Sequence, residues 1–376
     1  MRHPFRDHHI SAFLESVGGS QKPLDLALGH YFRAHKSIGA NDRRFIGETL
    51  YGMVRWKSLI DHFCASTYPQ DRLAAFRKIP LEECLKDPSI PEPIRLGLSE
   101  FLYEKLYSAY GLAKTRLIGK ALNGSAPPTV RANLIKTTRE ALLELWKGKF
   151  DVAPCSFAPQ GIRFQKREPL FALPEFKEGL FEVQDEGSQL VSELVEAKPG
   201  DHILDYCSGS GGKTLAFAPS MKGKGQIYLH DIRPHILLEA KKRMKRAGVQ
   251  NAQIMEPNHP RLSSLKGKMD WVLVDVPCTG TGTLRRNPDA KWKIDLFMLE
   301  RLKKEQREIV EKAIAYLKPT GKLVYATCSI LPEENQDQID FFIQSHGLVL
   351  EKPPLSLLPE EGGSDGFFAA VLKKTQ

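Results

Sequence analysis

The chain has 376 residues, 41% hydrophobic and 26% charged, which excludes a disordered polymer and predicts two or three domains rather than one. No apolar run approaches the length of a membrane-spanning helix, and the start, Met1-Arg2-His3-Pro4-Phe5-Arg6-Asp7-His8-His9, lacks the apolar centre of a secretory leader, so a cytoplasmic protein is expected. The net charge of +9 suits a polyanionic partner such as nucleic acid, and suits plain solubility equally well.

Residues 1–122 read as a helical domain. Leu24, Leu26, Ala27, Tyr31 and Phe32 recur at helical spacing, and a further helix carries Phe45, Ile46, Leu50, Tyr51 and Val54, with Asn41 or Asp42 as its cap. Arg43, Arg44, Arg55 and Lys57 form either a solvated face or an RNA-facing one. Leu122-Asn123-Gly124-Ser125-Ala126-Pro127-Pro128 is a linker signal. Residues 123–178 then mix a strand at Thr129–Asn133 with a helix over Arg139–Trp146, near a capping Thr138, as a small α+β subdomain.

Across 179–376 strands and helices alternate. Strands are expected at Asp201–Asp205, Gln226–His230, Asn251–Met255, Met269–Val274, Lys322–Ala326 and Gly366–Leu372. Helices are expected from Lys213, over Pro234–Ala247, along the apolar spacing of Leu296 to Leu317, and over Glu333–Ile343. This order predicts an α/β fold with a mostly parallel sheet covered on both faces.

Six cysteines are spread along the chain without a Cys-x-x-Cys pair, so neither a metal site nor a disulfide framework is expected. Four have no feature beyond ordinary burial. Cys278, in Asp275-Val276-Pro277-Cys278-Thr279-Gly280, and Cys328, in Tyr325-Ala326-Thr327-Cys328-Ser329, follow apolar runs that end as strands. Ligands of open α/β sheets bind past the carboxyl ends of the strands, so two thiols and the Asp275 carboxylate are expected to face one crevice.

After the first strand of this domain comes Cys207-Ser208-Gly209-Ser210-Gly211-Gly212-Lys213-Thr214. Its glycines let backbone approach a ligand, and the following helix offers free amides. A phosphate loop would need glycine at position 207, and the dinucleotide fingerprint would need one at 214. Both fail, which disfavours a nucleotidase or a dehydrogenase. Asp231, ending the second strand, stands where ribose hydroxyls are gripped in such sheets; the plainer role is to cap the helix near Pro234. Loop and acid together suit S-adenosylmethionine.

These motifs resemble the Nol/Nop/Sun family of RNA (cytosine-5) methyltransferases. The residues that carry the likeness are Asp205–Thr214, Asp275–Gly282, Arg285-Arg286-Asn287-Pro288-Asp289-Ala290-Lys291-Trp292 and Ala326–Asn335, with Val183–Ser188 and Asp365-Gly366-Phe367-Phe368 at the flanks. The resemblance implies a Rossmann-like methyltransferase sheet over 179–376, preceded by a small RNA-binding subdomain over 123–178. It further implies a NusB-like helical domain over 1–122, as in bacterial 16S ribosomal RNA members. It makes Cys328 the nucleophile, Asp275 the acid that shares a proton with cytosine N3, and Cys278 the group that assists product release. Lys213 and the loop Cys207, Ser208, Gly209, Ser210, Gly211 and Gly212 would hold the cofactor with Asp231, Asn258 and Asp275. Arg285, Arg286 and Lys291 would grip phosphates, and Trp292 would either stack on a base or pack in a core. His230 and His259 are expected to be structural.

Two departures stand out against the family pattern: Ser210 where relatives usually carry proline, and Asn258 where they commonly carry aspartate. The expected partner is RNA, with ribosomal RNA ahead of transfer RNA or DNA, and the expected state is a monomer. A non-catalytic RNA-binding or ribosome-assembly factor of the same fold is the competing reading, opposed by the presence of Cys328, Cys278 and Asp275.

Overall fold

The computed structural model describes residues 4–17 and 22–375; the Met1–His3 part of the start read for a leader lies outside them. Two compact units form, one of Met1–Ser125 with Thr283–Leu296, the other of Ala126–Gly282 with Phe297–Gln376. No helix among the described residues is long and apolar enough to cross a membrane.

In the first unit, helices Pro4–Ser16, Leu24–Ala34, Ala40–Arg55 and Pro69–Lys78 surround Ile10, Phe13, Leu28, Ile46 and Leu50. The Asn41/Asp42 cap is corrected. The cap position is Gly39, two residues before Asn41, and Asp42 lies in the helix's first turn, 2.7 Å from the Arg6 guanidinium. An acid there still complements the helix dipole, so the residue type was informative and the position was not. Of the four cations read as a possible RNA face, Arg43 donates to the Ile38 carbonyl at 2.9 Å and Lys57 pairs with Asp61 at 2.7 Å.

The segment Thr283–Leu296 folds into this helical unit, which corrects the phosphate-gripping role of Lys291 and Arg285. Lys291 is fully buried, and its ammonium donates to the Arg55 and Gly97 carbonyls at 3.3 and 3.0 Å and to Asn123 Oδ1 at 2.6 Å. Arg285 is 2% exposed. A cation spent on internal oxygens and sealed from solvent has no donor left for a phosphate. Trp292 donates its indole N–H to the Val54 carbonyl at 2.7 Å, which favours the packing role over base stacking.

In the second unit, β1 (Thr129–Ala132), β2 (Val152–Pro154), β3 (Gly161–Phe164) and β4 (Phe181–Val183) make an antiparallel sheet in the order β2-β3-β1-β4. The helix Arg139–Trp146 covers it, capped as expected by Thr138, which accepts from the Ala141 N–H at 3.1 Å. Val130, Leu142, Trp146, Ile162, Phe164 and Phe181 form the core between them.

The main sheet has eight strands. They are β5 (His202–Asp205), β6 (Gln226–His230), β7 (Ala252–Met255), β8 (Met269–Asp275), β9 (Leu317–Thr327), β10 (Leu348–Leu350), β11 (Leu355–Leu357) and β12 (Phe367–Lys374). Their order is β10-β12-β9-β8-β5-β6-β7, with β11 pairing on β12. β5 to β9 are parallel and β12 enters antiparallel. Apolar clusters cover both faces, Val272, Val274 and Tyr325 on one and Ile203, Leu229 and Leu273 on the other. β9 runs five residues ahead of the expected start because it pairs with Met269 before a register irregularity. The last helix begins at Gln336, not Glu333, since Pro332–Glu334 forms a tight 3₁₀ turn. β5 lies between β6 and β8, so the chain reverses direction across the sheet there and leaves a crevice at the carboxyl ends.

Candidate cofactor pocket and thiol pair

A cavity of about 550 Å³ opens at that crevice. It is lined by the ends of β5, β6 and β8, with Gln184 and Ser188 beside the small sheet and Glu305, Ile309 and Lys312 from the helix Leu296–Ile314. Cys207, Ser208, Gly209, Ser210, Gly212 and Lys213 all line it, as do Asp231 and Asp275. Gly211 does not. It turns with φ +79°, and a Cβ there would lie 2.5 Å from the Met244 methyl, so only glycine lets the loop pack on the helix Pro234–Ala247. Asn258 is exposed and lies outside the lining residues.

Asp231 lines the cavity, and the helix from Pro234 takes no side-chain cap from it. Its carboxylate accepts from the Gly209 N–H at 2.9 Å, steadying the loop, and from the Arg233 N–H at 2.9 Å. The Arg233 guanidinium also grips it at 2.8 and 2.9 Å. Burial works against its charge, but these donors together hold its pKa below the usual carboxylate range.

Asp205, at the end of β5, was read only as part of a motif. It is 1% exposed, lines the cavity and takes a hydrogen bond from Thr214 at 2.6 Å on Oδ2, while Oδ1 is buried without a partner among the described residues. Burial raises its pKa to about 7. The folded state therefore holds this proton at pH values where the unfolded chain has released it. The stability Asp205 contributes is full below pH 4 and is lost as pH rises through 7, a change of roughly 4 kcal/mol. Urea unfolding between pH 4 and 8 is expected to show this decline, and Asp205→Asn to flatten it; an unchanged slope would place the titration elsewhere.

The two thiols meet. Cys278 Sγ lies 3.4 Å from Cys328 Sγ, and both side chains are half-buried. Hydrogen bonding from Cys278 lowers the pKa of Cys328, with Lys213 adding to the effect against burial and Asp275. The same bond, with burial, pushes the Cys278 thiol up. These directions make Cys328 the more acidic thiol of the pair. Lys213 Nζ is ion-paired with Asp275. Burial opposes that ammonium, and the Asp275 charge outweighs it, so Lys213 stays charged. Both members of this ion pair line the cavity, and neither Cys278 nor Cys328 is among its lining residues.

The loops carrying the thiols are fixed by backbone. Gly282 N–H donates to the Cys328 carbonyl and Gly366 N–H to the Gly282 carbonyl, both at 2.9 Å. A Cβ on Gly282 would sit 2.2 Å from the Gly366 oxygen, which explains the glycine in each motif. Asp185 caps the helix Glu186–Glu193 and also accepts from the Asp365 N–H at 3.2 Å, while Gln184 and Ser188 of the same motif line the cavity.

Comparison with known proteins agrees with this geometry. Residues 192–373 match the model of the 16S rRNA methyltransferase RsmB/F family, and residues 98–170 match its ferredoxin-like domain. The chain is 35% identical over 290 residues to ribosomal RNA small subunit methyltransferase B of Photorhabdus laumondii, covering 73% of this chain and 66% of that protein. It is 32% identical over 307 residues to the probable ribosomal RNA small subunit methyltransferase B of Synechocystis, covering 75% of this chain and 69% of that one. The chain belongs to the RsmB/F methyltransferase family. Among solved structures, a methyltransferase homologue from Pyrococcus horikoshii is similar with a TM-score of 0.68 and 26% identity, over 77% of this chain and all of that one. PH0851 shares the fold across the full length of both chains, with a TM-score of 0.81 and 23% identity.

S-Adenosylmethionine is the cofactor of this family, and the pocket fits it. The glycine turns admit a chain close to backbone, Asp205 Oδ1 is a buried polar atom with no partner among the described residues, and Asp231 lines the same cavity. Among the described residues no cluster of His, Cys, Asp and Glu is arranged to hold a metal ion. Sequence reasoning passed over Asp205, Gln184, Arg233 and Arg243 as cavity residues. A carboxylate ending the strand before a Gly-rich loop was the available signal for the first, and the Val183–Ser188 motif for Gln184; Arg233 and Arg243 stand in no motif.

Proposed function

We propose that the protein transfers a methyl group from S-adenosylmethionine to C5 of a cytosine in 16S ribosomal RNA, through a transient bond between Cys328 and cytosine C6. The observation that supports this reading is the thiol pair, 3.4 Å apart, with Cys328 its more acidic member, alongside a cavity that Asp275 and Lys213 line.

Aromatic cytosine is a poor nucleophile at C5. Addition of the Cys328 thiolate to C6 moves an electron pair toward C5 and N3, and Asp275 shares a proton with N3 as charge grows there. The bound cofactor supplies an electrophilic methyl on sulfur. After transfer, Cys278, having given its own proton to solvent, takes the C5 proton; the C5–H electron pair restores the C5–C6 double bond and the S–C6 pair leaves with Cys328 as thiolate. Cys278 suits this second half. Once Cys328 is a thioether it no longer carries the charge that held the Cys278 proton, so Cys278 becomes more acidic and better able to take part in proton removal. The base must be unstacked for attack on its face.

Incubation with methyl-labelled S-adenosylmethionine and 16S ribosomal RNA, free or in assembling subunits, is expected to label RNA. Bisulfite mapping in cells with and without the protein is expected to show one lost 5-methylcytosine in 16S ribosomal RNA. Loss of a site in transfer RNA would move the substrate, and no incorporation into any RNA pool would favour a non-catalytic binding role.

A further inference from the structure

We propose that Arg243 is a positioning residue for the cofactor loop, and that through it the small antiparallel sheet sets how tightly the loop holds S-adenosylmethionine. The inference rests on the cofactor reading above and extends it to residues outside every motif.

Glu182 lies on β4 of the small sheet, 3% exposed. Its Oε2 accepts from Arg243 Nε at 3.2 Å and Nη2 at 2.9 Å, and its Oε1 from Arg246 Nη2 at 2.6 Å. The remaining Arg243 nitrogen, Nη1, donates to the Ser210 carbonyl at 3.1 Å and to Ser210 Oγ at 2.6 Å. Arg131, on β1 of the same sheet and buried, donates to the Gly212 carbonyl at 3.2 Å. The carbonyls on either side of Gly211 are therefore each held by an arginine tied to the small sheet. Gly211 itself packs on Met244, one residue beyond Arg243 on the same helix.

This arrangement needs arginine. Its planar fork spans a carboxylate on one side and a loop oxygen on the other, which a single ammonium cannot do. A loop with left-handed turns at Gly209 and Gly211 has many conformations open to it. Fixing one before the ligand arrives spares binding energy that would otherwise be spent on ordering. Mere adhesion between sheet and helix would need only the Glu182 contacts. The bonds to Ser210 serve the loop.

The test is calorimetric titration of the full chain with S-adenosylhomocysteine. Arg243→Lys keeps a cation for Glu182 and cannot also reach Ser210; it is expected to raise Kd about tenfold. Ser210→Ala is expected to raise Kd about threefold alone and not at all in the Arg243→Lys background, because the bond is already gone. Glu182→Gln, which touches no loop atom, is expected to raise Kd in the same direction. In methyl-transfer assays the KM for S-adenosylmethionine rises while kcat at saturation stays close to the unsubstituted value, and thermal melting confirms that each variant is folded. Unchanged Kd in Arg243→Lys, or multiplicative effects of the two loop variants, would overturn the inference. Failure of the unsubstituted protein to bind would overturn the cofactor reading and this inference with it.

Discussion

Cys328→Ala is expected to lose methyl transfer by at least ~10³-fold while still binding S-adenosylhomocysteine, because the variant keeps the cavity and loses the atom that activates the base. Cys278→Ala is expected to behave differently. It retains the nucleophile, so the bond to C6 forms, but it lacks the group that assists the second half, and a protein–RNA adduct accumulates. Denaturing gels of protein with labelled RNA and unlabelled cofactor read this directly: a shifted band for Cys278→Ala and none for Cys328→Ala. The opposite pattern would exchange the two roles.

The asymmetry of the pair gives this prediction its direction. At 3.4 Å the two thiols share one hydrogen bond, and it is this bond from Cys278, aided by the Lys213 charge, that lowers the pKa of Cys328 against burial and the Asp275 charge. Cys328 is therefore expected to react with iodoacetamide at pH values below the ordinary thiol range, and Cys278→Ala to shift that profile upward by removing its donor. The first variant thus has two signatures, adduct accumulation and a less acidic Cys328, which arise from the same missing proton.

Which parts were legible in the sequence follows from where the forces act. β5, β6, β8 and β9 were readable because buried parallel strands are short apolar runs, and their last residues are polar only where the crevice requires it. Cys278 and Cys328 were readable for the same reason: each is the polar exception after such a run. β10 and β11, three residues each, leave too short a pattern and form only because β12 is there to pair with them. Lys291 was misread because nothing local tells a buried lysine from a solvated one. Its acceptors come from Arg55, Gly97 and Asn123, all remote in sequence. Arg243 and Glu182 were missed likewise: their partners lie 61 residues apart, and the helix bearing Arg243 looks simply basic.

Glu334 is the residue whose loss is expected to cost the catalytic unit most in stability. It is fully buried behind the thiols, where Oε1 accepts from the Thr279 N–H at 2.9 Å and Gln306 Nε2 at 3.0 Å, and Oε2 accepts from the Thr279 hydroxyl. Gln306 also donates to the Pro277 carbonyl at 3.0 Å, and Tyr325 to the Glu334 carbonyl at 2.7 Å. Residues 277 and 279 bracket Cys278, and residue 334 follows Cys328 on its own loop, so this one carboxylate fastens the two thiol loops together. Glu334→Ala leaves the Thr279 N–H and one of the two Gln306 amide hydrogens buried without an acceptor and is expected to lower stability by about 3 kcal/mol in urea unfolding. Burial raises the Glu334 pKa. The stability this carboxyl contributes is thus greatest below its unfolded value and falls as pH rises through the folded one, so Glu334→Gln is expected to flatten that decline while keeping most of the packing. The functional readout separates fastening from bulk stability. At a temperature where Glu334→Ala is fully folded by circular dichroism, the Cys328 alkylation profile should move toward that of an ordinary thiol, because Cys278 no longer sits at hydrogen-bonding distance. A folded Glu334→Ala protein whose Cys328 keeps its low-pH reactivity would show that the thiol pair is held by other contacts.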